Sequence, residues 1–314
     1  MAHRPKNPHL PLRDGLAPSC LALPRLRQPP WASLLDCLSQ RLPRISRAQW
    51  LERLQAGQVC GEDGQALPAD APYLGGERIY YWRELPQAEA PIPFQAQVLH
   101  QCEHLVVADK PHFLPVTPGG GYVRETLLVR LKQALGLPNL SPLHRLDRET
   151  AGLVLFSVQP QQRDAYQRLF RERRVHKSYE AIAATAPHLN FPLTRRSHVR
   201  ECEQAFYKMR EARPDEALSA NSETEIHLLE TRGPWARYRL HPVTGKRHQL
   251  RVHMLALGLP IVGDQFYPYT LRSAGQAEDY RTPLRLLAHA IAFDDPISGA
   301  PRRFESTRQL AWPD

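Results

Sequence analysis

Apolar residues first recur at helical spacing at Leu34, Leu35, Cys37, Leu38 and Leu42, and Pro43 ends that run. A second helix is predicted over 47–56. Ser46 is its N-cap, Trp50, Leu51 and Leu54 form one stripe, and Gly57 closes it. A short hairpin around 61–64 and a strand at 78–82 follow. Residues 84–93, rich in proline and alanine, read as a linker. Beyond it, strand-like segments at 105–108, 153–158, 178–185, 223–230 and 236–243 are mixed with helix-like segments at 125–135 and 162–174. Arg232-Gly233-Pro234 turns between the last two strands. Short turns between neighbouring strands predict an α+β domain with a mixed, largely antiparallel central sheet. Residues 247–257 read as a further helix, with His248, Arg251 and Leu255 on one face and Leu250, Met254 and Leu257 on the other. Residues 1–29, rich in proline and arginine and without periodicity, read as a flexible basic tail. The predicted order is therefore a tail at 1–29, a small α/β module at 30–83, a linker at 84–93 and a large domain over 94–314.

Bulk composition narrows the picture modestly. The 314 residues suffice for one large or two unequal domains. Lysine and arginine number 41 against 32 acids, a net charge of +9. This argues for a polyanionic partner, although a merely solvated basic surface accounts for the charge equally well. Five scattered cysteines without a C-x-x-C pair suit free thiols in a reducing compartment, not a disulfide framework or a zinc site. No apolar run is long enough to cross a bilayer. The opening MAHRPKNPHLPLRD lacks the apolar segment of a signal peptide. A cytoplasmic, monomeric protein without a membrane partner is expected. Gly245-Lys246 has Leu240 where a phosphate-binding loop needs glycine, and GGG at 119–121 reads as a hinge. His241, His248 and His253 have no acidic or cysteine partner at ligand spacing, so no metal is expected.

The chemistry concentrates in HRLDRETAGLVLF, residues 144–156. Asp147 stands between Arg145 and Arg148 on a segment that runs into an apolar strand. Nearby cations favour a carboxylate anion, and an ionised Asp at a strand's lip can attack or deprotonate a substrate. Flanking arginines suit a substrate with phosphates along its backbone. An Asp that merely pairs with arginine to fix a loop is the plainer alternative.

This string closely resembles the catalytic motif of the RluA-type pseudouridine synthases, H-R-L-D-R-x-T-S-G-L, with Ala151 in place of the serine. KSYEAIAA (177–184) resembles that family's K-x-Y-x-A strand. HPVTGKRHQLRVHMLALGLPIVGDQFYP (241–268) resembles its G-R-x-H-Q-[IL]-R-x-H…G-x-P-[IL]-x-G-D-x-x-Y block, with Lys246 replacing an arginine, and RLLAHAIAFDDPISG (285–299) resembles its late strand. The family implies a curved central sheet with a cleft across it, and a cofactor-free isomerisation of uridine in RNA. It also implies Asp147 as the catalytic carboxylate, Tyr179 packing on the flipped base and moving a proton, and Arg251 pairing with Asp147. A bidentate fork would do this better than a lysine. Arg145 would fill the space the extruded base leaves. Arg148, Lys177, Lys246, Arg247 and His248 are the further candidate RNA contacts. Whether Asp147 bonds to ribose, adds to the base or abstracts a ribose proton stays open. The arginines of the 162–174 helix and of Arg195, Arg196 and Arg200 are candidate backbone contacts. Residues 42–59 resemble the alpha-L RNA-binding module, with Glu62 and Asp63 in a turn where that module carries uncharged or basic residues. The implied substrates are large-subunit ribosomal RNA and transfer RNA. A non-catalytic RNA-binding or ribosome-assembly factor and a base-excising glycosylase are the competing readings.

Overall fold

A computed structural model describes residues 10–43, 45–84, 89–271 and 278–313, with Phe206 described by its backbone alone. The chain forms two compact units, Met1–Glu89 with Gly120–Arg124, and Ala90–Gly119 with Glu125–Asp314.

The first unit holds β1 (Ser19–Ala22), α1 (Leu34–Arg41), α2 (Arg47–Gln55), β2 (Val59–Cys60) and β3 (Arg78–Tyr81). Both helices start where the sequence placed them, because each has its cap. Ser33 Oγ accepts from Asp36 N, and Ser46 and Gln49 form a reciprocal capping box. Leu34, Cys37, Leu38, Trp50, Val59 and Ile79 are buried together. The expected flexible tail at 1–29 is corrected for its described part. Residues of β1 pair with β3, Ser19 opposite Tyr81, in a sheet of order β1-β3-β2, and Leu10, Leu16 and Leu23 are buried. A four-residue strand is too short to show a period, and its stability comes from a partner far along the chain. The expected linker at 84–93 is also narrower than thought. Residues 85–88 lie outside the described residues, the units divide after Glu89, and Ile92 is already buried.

The second unit contains β4 (Gln97–Gln101), β5 (Leu105–Lys110), α3 (Leu127–Leu135), β6 (Ser141–Pro142), β7 (Ala151–Ser157), α4 (Arg163–Arg171), β8 (His176–Ala184), β9 (Leu193–Ser197), β10 (Val199–Cys202) and β11 (Ala205–Glu211). It continues with β12 (Ser222–Arg232), β13 (Trp235–Pro242), α5 (Gln249–Ala256), β14 (Leu286–Asp294) and β15 (Pro301–Glu305). Ten strands form one sheet in the order β4-β5-β7-β14-β8-β13-β12-β9, with β15 on β14 and β6 on β7. Only β7 and β14 pair in parallel, so the sheet is mixed and largely antiparallel as expected. β10 and β11 form a separate ribbon. On the sheet, α5 lays Leu250 and Met254 against Ala181, Tyr238 and Leu240. α4 lays Tyr166 and Leu169 against Leu105, Leu153 and Leu155. Each such side chain removed from water contributes roughly 1.5–3 kcal/mol.

The parallel β7–β14 step depends on one glycine. Gly152 has φ +108°, and a Cβ there would lie 2.3 Å from Ala288 O and 2.7 Å from Ala288 N. Gly152→Ala is therefore expected to cost about 3 kcal/mol or more, since neither backbone can yield. Thermal unfolding of the variant checks this, and a melting temperature within a degree of the wild type contradicts it.

Candidate active site

Asp147 sits in the loop between β6 and β7, and that loop is pinned from several sides. Leu143 N donates to Leu155 O at 2.8 Å, and Leu155 N donates to His144 Nε2 at 3.1 Å. Thr150 N donates to Asp147 O at 3.2 Å. Lys110, at the end of β5, is wholly buried, and its Nζ donates to the carbonyls of Pro111, Leu114 and Arg148. Burial pulls this lysine's pKa down to about 7. His112 Nδ1 donates to Glu149 O at 2.7 Å. The imidazole of His144 stacks on Phe170 with centroids 5.0 Å apart, and burial lowers its pKa to about 3. It accepts through Nε2, so it acts as a fixed neutral brace for the loop.

Asp147, Tyr179 and Arg251 border one inner recess of about 110 Å³, together with Leu146, Lys177, His248, Leu250 and Leu286. The recess shares a wall with a cleft of about 870 Å³, bordered by Arg145, Arg171, Arg173, Lys177, Asn221, Lys246 and Arg247 among others. Strand alternation explains Tyr179. On β8 it pairs across to Leu240 and Ala288 and faces the core side, where α5 packs. The next residue, Glu180, points the other way and binds Arg239 at 3.1 Å. Burial, with the Asp147 charge added, pushes the Tyr179 phenol above its ordinary range.

The fork of Arg251 is the main correction to the expected geometry. Arg251 is fully buried, and its Nε and Nη2 bind both oxygens of Asp264, at 2.8 and 2.6 Å. Only Nη1 turns to Asp147, at 3.3 Å, with Glu149 at 3.9 Å. The bidentate partner is thus Asp264, itself held by Phe266 N and Tyr267 N. Asp147 receives the remaining arm of a guanidinium that is already fixed in place, which leaves its other oxygen free for substrate.

Of the expected RNA contacts, Arg145, Lys177, Lys246 and Arg247 all border the cleft. Arg145 and Lys246 are exposed. Lys177 donates to Thr244 O at 3.4 Å, and burial lowers its pKa. Arg247 is partly engaged, by Met209 Sδ, Lys208 O and Glu201. His248 belongs to the recess rather than to the outer cleft; it is buried, with φ +54° at the N-cap of α5. Arg148 is a second correction. Its guanidinium binds Glu149 at 3.1 Å and Glu278 at 2.5 Å, and it borders neither cavity. Opposite charge 130 residues away claims it, which no local pattern reveals. The basic residues of β9 and β10 are likewise engaged: Arg195 with Glu211, Arg196 with Glu223, and Arg200 with Glu203 and Glu216. Asp264, Tyr267 and Lys110 were given no role by sequence reasoning. The G-D-x-x-Y string was the available signal for the first two.

An anchored carboxylate, a phenol and a guanidinium around a recess open to a basic groove can hold one extruded base with its sugar at Asp147. Among the described residues no cluster of side chains suits a metal ion.

Comparison with known proteins gives this arrangement a context. Residues 104–256 match the family model described as RNA pseudouridylate synthase. An uncharacterized RNA pseudouridine synthase of Synechocystis is 34% identical over 241 residues, 74% of this chain and 79% of the relative. The dual-specificity RNA pseudouridine synthase RluA of Haemophilus influenzae is 32% identical over 224 residues, 69% of this chain and 94% of its own. The ribosomal large subunit pseudouridine synthase D of Xanthomonas campestris is 30% identical over 289 residues, 85% and 82% of the two chains. Among solved structures, human RNA pseudouridylate synthase domain containing 4 superimposes with a TM-score of 0.52 at 26% identity, over 68% of this chain and 88% of that one. The matched stretch runs from β5 into α5 and so takes in Asp147, Tyr179 and Arg251; this chain belongs to the RNA pseudouridine synthase family, whose members are isomerases acting on uridines in RNA.

Proposed function

We propose that this chain isomerises uridines to pseudouridine in structured RNA of the translation apparatus, large-subunit ribosomal RNA and transfer RNA. The observation that carries the reading is the convergence of Asp147, Tyr179 and Arg251 on one recess beneath a cation-lined cleft. The name of one relative, a ribosomal large subunit enzyme, supports the ribosomal part of this choice, and the family resemblance supports the transfer RNA part. The reaction breaks the bond from ribose C1′ to uracil N1 and rejoins C1′ to carbon-5, so atoms are conserved. The base must leave its stack first, at a cost of a few kcal/mol. Arg145, exposed at the mouth of the recess, has the planar side chain that suits the vacated space. Free thiols at all five cysteines support a cytoplasmic setting. Chemical mapping of pseudouridine in ribosomal and transfer RNA from cells lacking the protein tests the substrate. Discrete sites should vanish and return with the wild-type gene but not with Asp147→Asn. An unchanged map contradicts the proposal.

Arg173 supplies a sharper test of RNA engagement. It follows the end of α4 with φ +58°, a conformation that favours glycine. It is exposed and borders the cleft, and its guanidinium makes no hydrogen bond or ion pair among the described residues. Its helix neighbours Arg168 and Arg171 pair with Asp164, and Arg174 with Glu172. An arginine kept in a strained conformation at a cleft suits a phosphate contact. Arg173→Gly is expected to leave the unfolding temperature equal or higher while weakening RNA binding. The slope of log affinity against log salt should fall by about one. Fluorescence anisotropy across a salt series reads this out, and an unchanged slope removes Arg173 from the interface.

A further inference from the structure

A chain of rings runs from the wall of the recess to the protein surface. His248 borders the recess, and its ring stacks on Phe266 with centroids 5.9 Å apart and planes at 28°. Phe266 in turn meets Tyr207 at 5.6 Å and 56°. Strand alternation puts Tyr207 there. On β11 it shares a face with Met209, which is buried with Val199, Val252 and Tyr267. Toward the β10–β11 turn that face leaves the core, so Tyr207 is 39% exposed although its ring leans on Phe266. The Tyr207 hydroxyl lies 3.4 Å from Thr270 Oγ1, and the neighbours of Thr270 in the chain, Tyr269 and Leu271, are exposed as well. Three large apolar side chains thus share one patch of surface, which is costly to leave against water.

This patch adjoins the cation-lined cleft through shared residues. Arg247 borders the cleft, and its guanidinium reaches Met209 Sδ at 3.3 Å and Lys208 O at 3.5 Å, on the strand that carries Tyr207. Lys208 places its Nζ 5.6 Å from the centre of the Tyr267 ring. Rings flanked by cations suit unpaired nucleotides, whose bases stack on the rings while their phosphates follow the charges. A stable protein partner would need a far larger surface than three side chains. Resting on the function proposed above, we propose that Tyr207, backed by Phe266, is a stacking platform for an unpaired RNA base beside the target uridine. Two short ring-to-ring steps separate it from the recess wall, so the base it takes flanks the extruded one. Every base has a π-face, so the platform selects an unpaired neighbour and not a particular base. It thereby favours uridines in loops over uridines inside duplexes.

The test uses the full-length protein with a single-stranded oligoribonucleotide of mixed adenine and uracil, and with an abasic oligomer carrying the same number of phosphates. Fluorescence anisotropy reads both. Tyr207→Ala is expected to weaken binding of the base-bearing strand roughly 5- to 150-fold and to leave binding of the abasic strand unchanged. Tyr207→Trp should bind as tightly as the wild type. Tyr207→Leu, which keeps apolar area but has no π-face, should bind like Tyr207→Ala. The slope of log affinity against log salt should match the wild type in all three, since no charge changes. Equal affinity of Tyr207→Ala and wild type for the base-bearing strand, or an equal loss on both strands, overturns the platform. So does a wild-type dimer in sedimentation that Tyr207→Ala splits, since the patch then meets a second copy of the chain. Tritium release from carbon-5-labelled uridine, in RNA from cells lacking the protein, is measured on the same wild-type sample. Its absence overturns the proposed function, while the binding series still decides the platform.

Discussion

Asp147→Asn is expected to abolish uridine isomerisation, with a loss on the order of 10⁴-fold or more, while the unfolding temperature and RNA affinity stay close to the wild type. The substitution keeps the shape of the side chain and one acceptor oxygen, so Arg251 Nη1 retains a partner near 3.3 Å. The loop itself is held by Lys110, His112, His144 and Thr150 through backbone groups that the change does not touch. What disappears is the anionic oxygen turned to the recess. Covalent attack on the sugar, addition to the base and proton abstraction all need that oxygen, so the expected loss is independent of the route. Single-turnover rates with calorimetric melting and a binding isotherm check it. Activity within tenfold of the wild type would place the chemistry elsewhere.

The second large effect concerns Arg251. Its guanidinium is buried and satisfies Asp264 with two nitrogens and Asp147 with one. Arg251→Met strands the buried Asp264 carboxylate. Breaking a buried pair in this way costs about 3–5 kcal/mol, which corresponds to a fall in melting temperature on the order of 10 °C. Activity should fall with it. The double variant Arg251→Met/Asp264→Asn separates the two roles. Asparagine removes the stranded charge and still accepts from Phe266 N and Tyr267 N, so much of the lost stability should return. Activity should not return, because nothing then orients Asp147. Calorimetry and tritium release on the same samples decide this. Recovery of activity together with stability would reduce Arg251 to a purely structural part.

Particular residues show what could be read from the chain alone. Ser46 announced the start of α2, and the alternation of Tyr179 with Glu180 left only two choices for the cleft face. The face of α5 bearing Leu250, Met254 and Leu257 packs as the spacing implied. Asp147, Tyr179 and Arg251 were legible as candidates because they lie in ordered motifs. Long-range polar pairing was not. Asp264 carried no role in the motif string, yet it owns the fork of Arg251. Arg148 looked like a cleft cation, yet Glu278 takes it. Strands β1, β9 and β10 were hidden because they are only four or five residues long and mostly half-buried or exposed. Their partners, not their own composition, make them strands.

The central claim is that Asp147 drives isomerisation of RNA uridine without excising the base. The direct measurement is tritium release from carbon-5-labelled uridine in RNA from cells lacking the protein, followed by mass analysis of the same RNA. The expected result is tritium release by the wild type with RNA mass otherwise unchanged, and none above background by Asp147→Asn. Free uracil with abasic RNA, or equal background release from both proteins, would contradict it.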